Sequence, residues 1–200
     1  MEIVIVRHGK PKFMNETPVS ANEFTGWIKN YNDSGLSKNS SPSETTLAYA
    51  EECMVIVSST LPRSVDSAKA LKAEKLVLSD SLFIEAGLPS ASWVLLKLSP
   101  KTWAVIFRVL WLFGYSKKSE SFKMAKKRAT LAVDQLTQLA NEYQKVLFVG
   151  HGVFNRLLVK ELINRGWLGP KKPSSTYWSV SVYATDKHNN ALQPTAKSGS

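Results

Sequence analysis

The sequence predicts an α/β fold, a three-layer α/β/α sandwich around a mostly parallel central sheet. Three observations lead there. Residues 3–6, 53–59, 75–78 and 146–149 form short, continuous apolar runs, most of them rich in branched residues, the pattern of strands buried on both faces. The stretches between them carry helical spacing, so strands and helices alternate along the chain. Three of the runs end in polar turns that hold reactive side chains: Arg7-His8-Gly9, the segment from Ser58 to Arg63, and Gly150-His151-Gly152. In open α/β sheets, the carboxyl edge of the strands is where ligands bind.

Two hundred residues suit one domain that buries a core without disulfides or metals. Residues 1–184 are expected to form it, with a helical cap inserted at about 88–118 and a flexible tail over 185–200. The lone cysteine, Cys53, rules out an intramolecular disulfide, and its apolar setting suits a buried structural thiol. The three histidines, at 8, 151 and 188, are too scattered in sequence to suggest zinc. The chain enters its first strand at once and has no long uncharged apolar segment, so a cytoplasmic location without signal peptide or membrane span is expected. A net charge of +10 admits nucleic acid, an anionic membrane or small phosphorylated ligands. The lysines are scattered or paired, without a long basic run or an RNA-binding or zinc-finger signature, which favours a solvated basic surface over nucleic-acid binding.

Along the chain, residues 12–43 read as a long active-site loop with a short helix at 21–31, and Lys10, Lys12 and Asn15 could face a phosphate there. A helix is expected from Ser43 to Glu52, and another from Pro62, the residue type favoured in a first helical turn. That places Arg63 in the first turn of a helix just past a strand, where unpaired N–H groups suit an anion. Glu85 lies between apolar neighbours, a setting that can turn a carboxyl group into a general acid. Ser99-Pro100 starts a helix that is apolar from 102 to 113 except for Arg108, and Gly114 stops it. Such a helix should be buried on most sides, under its neighbours or in a homodimer interface, with Lys101 and Arg108 on one narrow polar face. A membrane-surface helix would need a broader basic face. Trp93, Trp103 and Trp111 suit core or lid packing. Residues 119–142 keep the apolar spacing of a long amphipathic helix, whose Lys123, Lys126, Lys127 and Arg128 are expected to be mostly solvated. A helix follows at 154–164, then a strand with one exposed face at 177–183.

The ordered set RHG (residues 7–9), SSTLPRS (58–64), IEAG (84–87) and VGHG (149–152) resembles the histidine phosphatase superfamily, the phosphoglycerate mutase-like group, over residues 1 to about 183. The resemblance implies a phosphohistidine mechanism on a small phosphorylated substrate, with no cofactor and no metal. His8 would be the nucleophile, Arg7 and Arg63 the forked phosphate donors, His151 a further donor and Glu85 the general acid and base. Gly9, Lys10, Asn15 and Gly152 would line the phosphate site. The chain departs from the group's mutases in carrying Lys10-Pro11 after RHG, where an acidic residue is common. Asn15 is one place out of the usual spacing, and the chain is shorter than a mutase. Phosphomonoester hydrolysis is therefore expected over mutase chemistry, and a non-catalytic phospho-ligand or protein-binding module is the alternative from another class. Lys10 would suit a substrate with additional negative charge. The end ALQPTAKSGS (191–200) resembles read-through ends of mobile gene cassettes, which would imply a bacterial accessory protein.

Overall fold

The computed structural model describes residues 1–71 and 76–185. The expected tail lies outside them from residue 186 onward, as does Lys75 at the head of the third expected strand. Strands β1 (Glu2–Arg7), β3 (Val55–Ser59), β4 (Leu76–Asp80) and β6 (Lys145–Gly150) join β7 (Val180–Ala184) in one sheet of order β4-β3-β6-β1-β7. All pairings are parallel except β7 on β1. A separate two-residue pair, β2 (Val19–Ser20) and β5 (Lys97–Leu98), ties the loop after β1 to the cap.

The alternation of side chains along each strand builds the layers. Ile3, Ile5, Val55, Val57, Val146 and Phe148 point to one face, where α5 (Phe122–Tyr143) and α6 (Gly152–Asn164) cover them. Val4, Val6, Ile56, Leu147 and Val149 point to the other, under α2 (Glu44–Glu52) and α3 (Pro62–Leu71). Both faces of the central strands are thereby buried, which is why their sequences read as continuous apolar runs. The cap packs α1 (Ala21–Asn32) against α4 (Pro100–Leu112) through a smaller core of Phe24, Trp103 and Phe107.

Serine caps set four of the six described α-helix starts. Ser43, Ser99 and Ser121 each accept the N–H three residues on, and Ser20 with Glu23 completes a reciprocal capping box. The Ser121 cap starts α5 at Phe122, the first of its spaced apolar residues and three residues past the expected start at 119. β7 likewise starts at Val180 rather than 177, because Trp178 turns the chain with φ +62°. Two expectations for α4 are corrected. It buries one stripe only, Trp103, Phe107 and Trp111, and exposes Val105, Val109 and Leu112. Arg108 does not share a solvated face with Lys101, because its guanidinium donates inward to the carbonyls of Ala86 and Gly87. Trp93 is half-exposed at the edge of the cap core, whereas Trp103 and Trp111 are buried.

Candidate functional site

The central strands β1 and β6 lie side by side in register, Arg7 opposite Gly150, so the residues that follow them emerge together. His8 leaves β1 with its backbone N–H bonded to the Gly150 carbonyl (3.0 Å), and His151 leaves β6 as the N-cap of α6. Their rings lie 5.0 Å apart, tilted by 56°. His8 is 2 % exposed. Its Nδ1 lies 2.7 Å from the Gly9 carbonyl oxygen, which can only accept, so Nδ1 carries the proton and Nε2 keeps its lone pair. Arg63 Nε donates to that lone pair at 3.3 Å. Burial, then the charges of Arg63 and Arg7, hold the His8 pKa down at about 3, so the ring is neutral at ordinary pH.

His151 is fully buried and likewise held well below the usual imidazole range, by desolvation first and then by the neighbouring His8 and the arginines. Its Nε2 is 2.6 Å from Ser59 Oγ, which also accepts from the Leu61 N–H at 3.3 Å. The Ser59 hydroxyl proton is then free to donate to Nε2, which puts the ring proton on Nδ1. That Nδ1 is buried and has no partner within the protein. A buried donor without an acceptor is costly, and an oxygen ligand would relieve it.

The two arginines differ in how they are held. Arg63, 1 % exposed in the first turn of α3, binds the C-terminal end of α1 through the Tyr31 carbonyl (3.2 Å) and Asn32 Oδ1 (3.3 Å), and lies over the Tyr31 ring. Arg7 donates to the Ser175 carbonyl and lies over the ring of Tyr177, while its buried Nε has no partner within the protein. Tyr177 also lies 5.7 Å from the His8 ring, so it covers both residues. The unpartnered donors at Arg7 Nε and His151 Nδ1, the second guanidinium of Arg63 and the neutral His8 make an array suited to a tetrahedral oxyanion.

Glu85 meets this array from the α6 side. Its Oε1 accepts from the Ala86 and Phe154 N–H groups (2.9 and 2.8 Å), and its Oε2 from Val153 (3.1 Å). The carboxyl group is therefore held by the N-terminus of α6, not merely by an apolar pocket. Its loop is clamped on both sides: Arg128 donates to the carbonyls of Leu82 and Ile84 (2.8 and 2.9 Å), and Arg108 to those of Ala86 and Gly87 (2.8 and 3.3 Å). Arg128, expected in solvent, is paired with Glu120 and lies over Phe154.

The remaining predicted residues divide. Gly152 opens α6 with its Cα toward Arg7, where an added Cβ would lie 3.8 Å from the guanidinium. Gly9 is a packing residue: its N–H goes to Ser67 Oγ (2.9 Å), and a Cβ would sit about 2.5 Å from Leu36 and Trp178. Lys10 and Asn15 are both exposed. The Asn15 side chain accepts from the Thr17 N–H (2.8 Å) in a hollow shared with Trp27 and Lys101. Sequence reasoning missed Ser59, Tyr177, Arg108 and Arg128. Ser59 lies inside the SSTLPRS motif and Arg108 is the one charge in an apolar run, whereas nothing local marks Tyr177. Among the described residues, no three His, Cys, Asp or Glu side chains gather as a metal site.

A sequence model of the histidine phosphatase superfamily (branch 1) matches residues 3–196. A comparison with curated proteins finds no match. Solved structures share the fold. A mycobacterial glucosyl-3-phosphoglycerate phosphatase aligns over 82% of this chain and 79% of its own, with TM-score 0.53 and 21% identity. Phosphoserine phosphatase from Entamoeba histolytica, solved with 3-phosphoglyceric acid, aligns over 94% and 98%, with TM-score 0.57 and 13% identity. The alpha-ribazole phosphatase of Shigella flexneri aligns over 82% and 80%, with TM-score 0.51 and 16% identity. At these identities the likeness is one of fold.

Proposed function

The chain belongs to the histidine phosphatase superfamily, and from that premise we propose that it is a metal-independent phosphomonoester hydrolase working through a phosphohistidine on His8. The observation that carries this reading is the state of His8: a neutral ring, anchored at Nδ1, with its Nε2 lone pair among cationic donors. That the fold's solved neighbours include several phosphatases is consistent with it. Substrate phosphate oxygens take the donors of Arg7, Arg63 and His151, and Arg63 Nε swings from His8 onto an oxygen. His8 Nε2 then attacks phosphorus; the N–P bond forms as the ester P–O bond breaks. Glu85 hands a proton to the departing alkoxide and is left as the carboxylate that its three N–H partners stabilise. In the second half the Glu85 carboxylate takes a proton from water as the resulting hydroxide attacks phosphorus, releasing inorganic phosphate and neutral His8. The two guanidiniums supply the charge stabilisation that phosphoryl transfer requires.

A second reading, a phospho-ligand-binding module without turnover, is favoured by one feature: Arg63 occupies the His8 lone pair and Tyr177 covers the ring. One experiment separates the two. Acid quenching is avoided, because phosphohistidine is acid-labile, and the protein is denatured in base during turnover of a labelled aryl phosphate. Label on the native chain that is absent from His8→Ala supports the hydrolase. No label and no phosphate release, with vanadate still raising the melting temperature, gives the binding module.

A further inference from the structure

The site leaves one large feature of the surface unused, the outer face of the cap. Segment 93–96 is exposed throughout, with Leu95 at 99 %, and its residues line an apolar hollow of about 540 Å³ with Trp103 and Ile106. Ile106 connects this hollow to the solvent stripe of α4, where Val105, Val109 and Leu112 lead to Phe113, 89 % exposed. A continuous apolar surface of this kind marks an interaction site. Its chemistry is set by what surrounds it. Residues 88–127 carry eight Lys or Arg against the single acid Glu120, so seven of the chain's ten net positive charges fall in this fifth of the sequence. Glu120 is itself taken by Arg128, and all seven lysines of the segment are exposed. Lys97 and Lys101, the latter paired with Glu16, stand at the N-terminal end of α4; Lys117, Lys118 and Lys123 follow its C-terminal end.

We propose that this face docks on an anionic membrane surface, with segment 93–96 and Phe113 entering the acyl boundary while the lysines meet lipid phosphates. Apolar insertion within a basic frame is the combination that holds peripheral proteins at such surfaces. The helix's own polar face is narrow, and the basic groups come instead from the segments that flank it. No helix among the described residues is long and apolar enough to cross a bilayer, so the contact is peripheral. A second copy of the chain is a poorer occupant, because two-fold packing would press two strongly basic frames together.

Sedimentation of the full chain with lipid vesicles tests this, and needs no turnover, so it stands or falls apart from the hydrolase reading. The chain should pellet with phosphatidylcholine vesicles containing about one third phosphatidylglycerol, remain in solution with pure phosphatidylcholine, and bind more weakly as salt rises. Leu95→Asp combined with Phe113→Asp should lower partitioning at least about tenfold. Both side chains are too exposed for their loss to unfold the chain. Failure to pellet with anionic vesicles overturns the proposal, as does unchanged pelleting of the double variant. A dimer in solution that the double variant dissociates overturns it too, and assigns the face to a second copy.

Discussion

Acid should destabilise this fold through the two histidines that follow its central strands. In the unfolded chain a histidine takes up a proton below about pH 6.5, whereas folded His8 resists protonation until about pH 3. Between those values the unfolded state binds more protons, so stability rises with pH and is lost as pH falls. From pH 7 to pH 5, the linkage relation gives a loss of about 2 kcal/mol for His8 alone. His151, depressed in the same direction by full burial, adds a loss of the same sign. Against a typical domain stability of about 5–15 kcal/mol, such losses are large. The assay is urea unfolding followed by circular dichroism at both pH values, for the native chain and for His8→Asn, which keeps a neutral polar group at the position. The variant should lose about 2 kcal/mol less than the native chain over this interval. Equal losses in the two proteins would show that His8 is not held neutral by its surroundings, and would remove the basis for its role as a nucleophile.

Three further outcomes follow from the site. Ser59→Ala strips His151 Nε2 of its partner and frees the ring to take the other tautomer; kcat on an aryl phosphate should fall about 10–100-fold with KM little changed, alongside about 1–3 kcal/mol of stability. Arg63→Lys keeps the charge but loses the fork that meets both His8 and the end of α1, so kcat/KM should fall by about 10²–10³ and ionic strength should not restore it. Gly9→Ala drives a methyl group into the Trp178 ring and Leu36, and should lower stability by about 1–3 kcal/mol in thermal unfolding.

The order of strands and helices was legible because central strands covered on both faces must be continuously apolar, and four of the six described α-helices start on a serine cap. Residues 146–149 and the cap at Ser43 show each case. His8, Arg63 and His151 could be picked out because each follows a strand, and in a parallel sheet those ends share an edge. What the sequence hid is what depends on tertiary approach. Tyr177 reaches the site from the turn before an antiparallel edge strand, far away in sequence, and its own neighbours suggest only alternation. Arg128 keeps surface spacing on an amphipathic helix, yet the two carbonyls before Glu85 draw it inward. Asn15 rests on its residue type and its place in the loop, one position out of the usual spacing, and its side-chain oxygen is taken by the N–H two residues on.

The two imidazoles hang from adjacent parallel strands at the same level, and their separation of 5.0 Å is close to the distance at which any two hydrogen-bonded strands lie. The strand pairing thus spaces the backbones that carry the two rings, while the Gly9 carbonyl, Arg63 and Ser59 hold the rings themselves. Substitutions in the Tyr177 turn or the loop of Glu85 can change what surrounds the two rings, but the spacing of their backbones changes only if β1 unpairs from β6. On the proposed reading, a change of substrate would therefore come from the residues around the two rings rather than from the sheet that carries them.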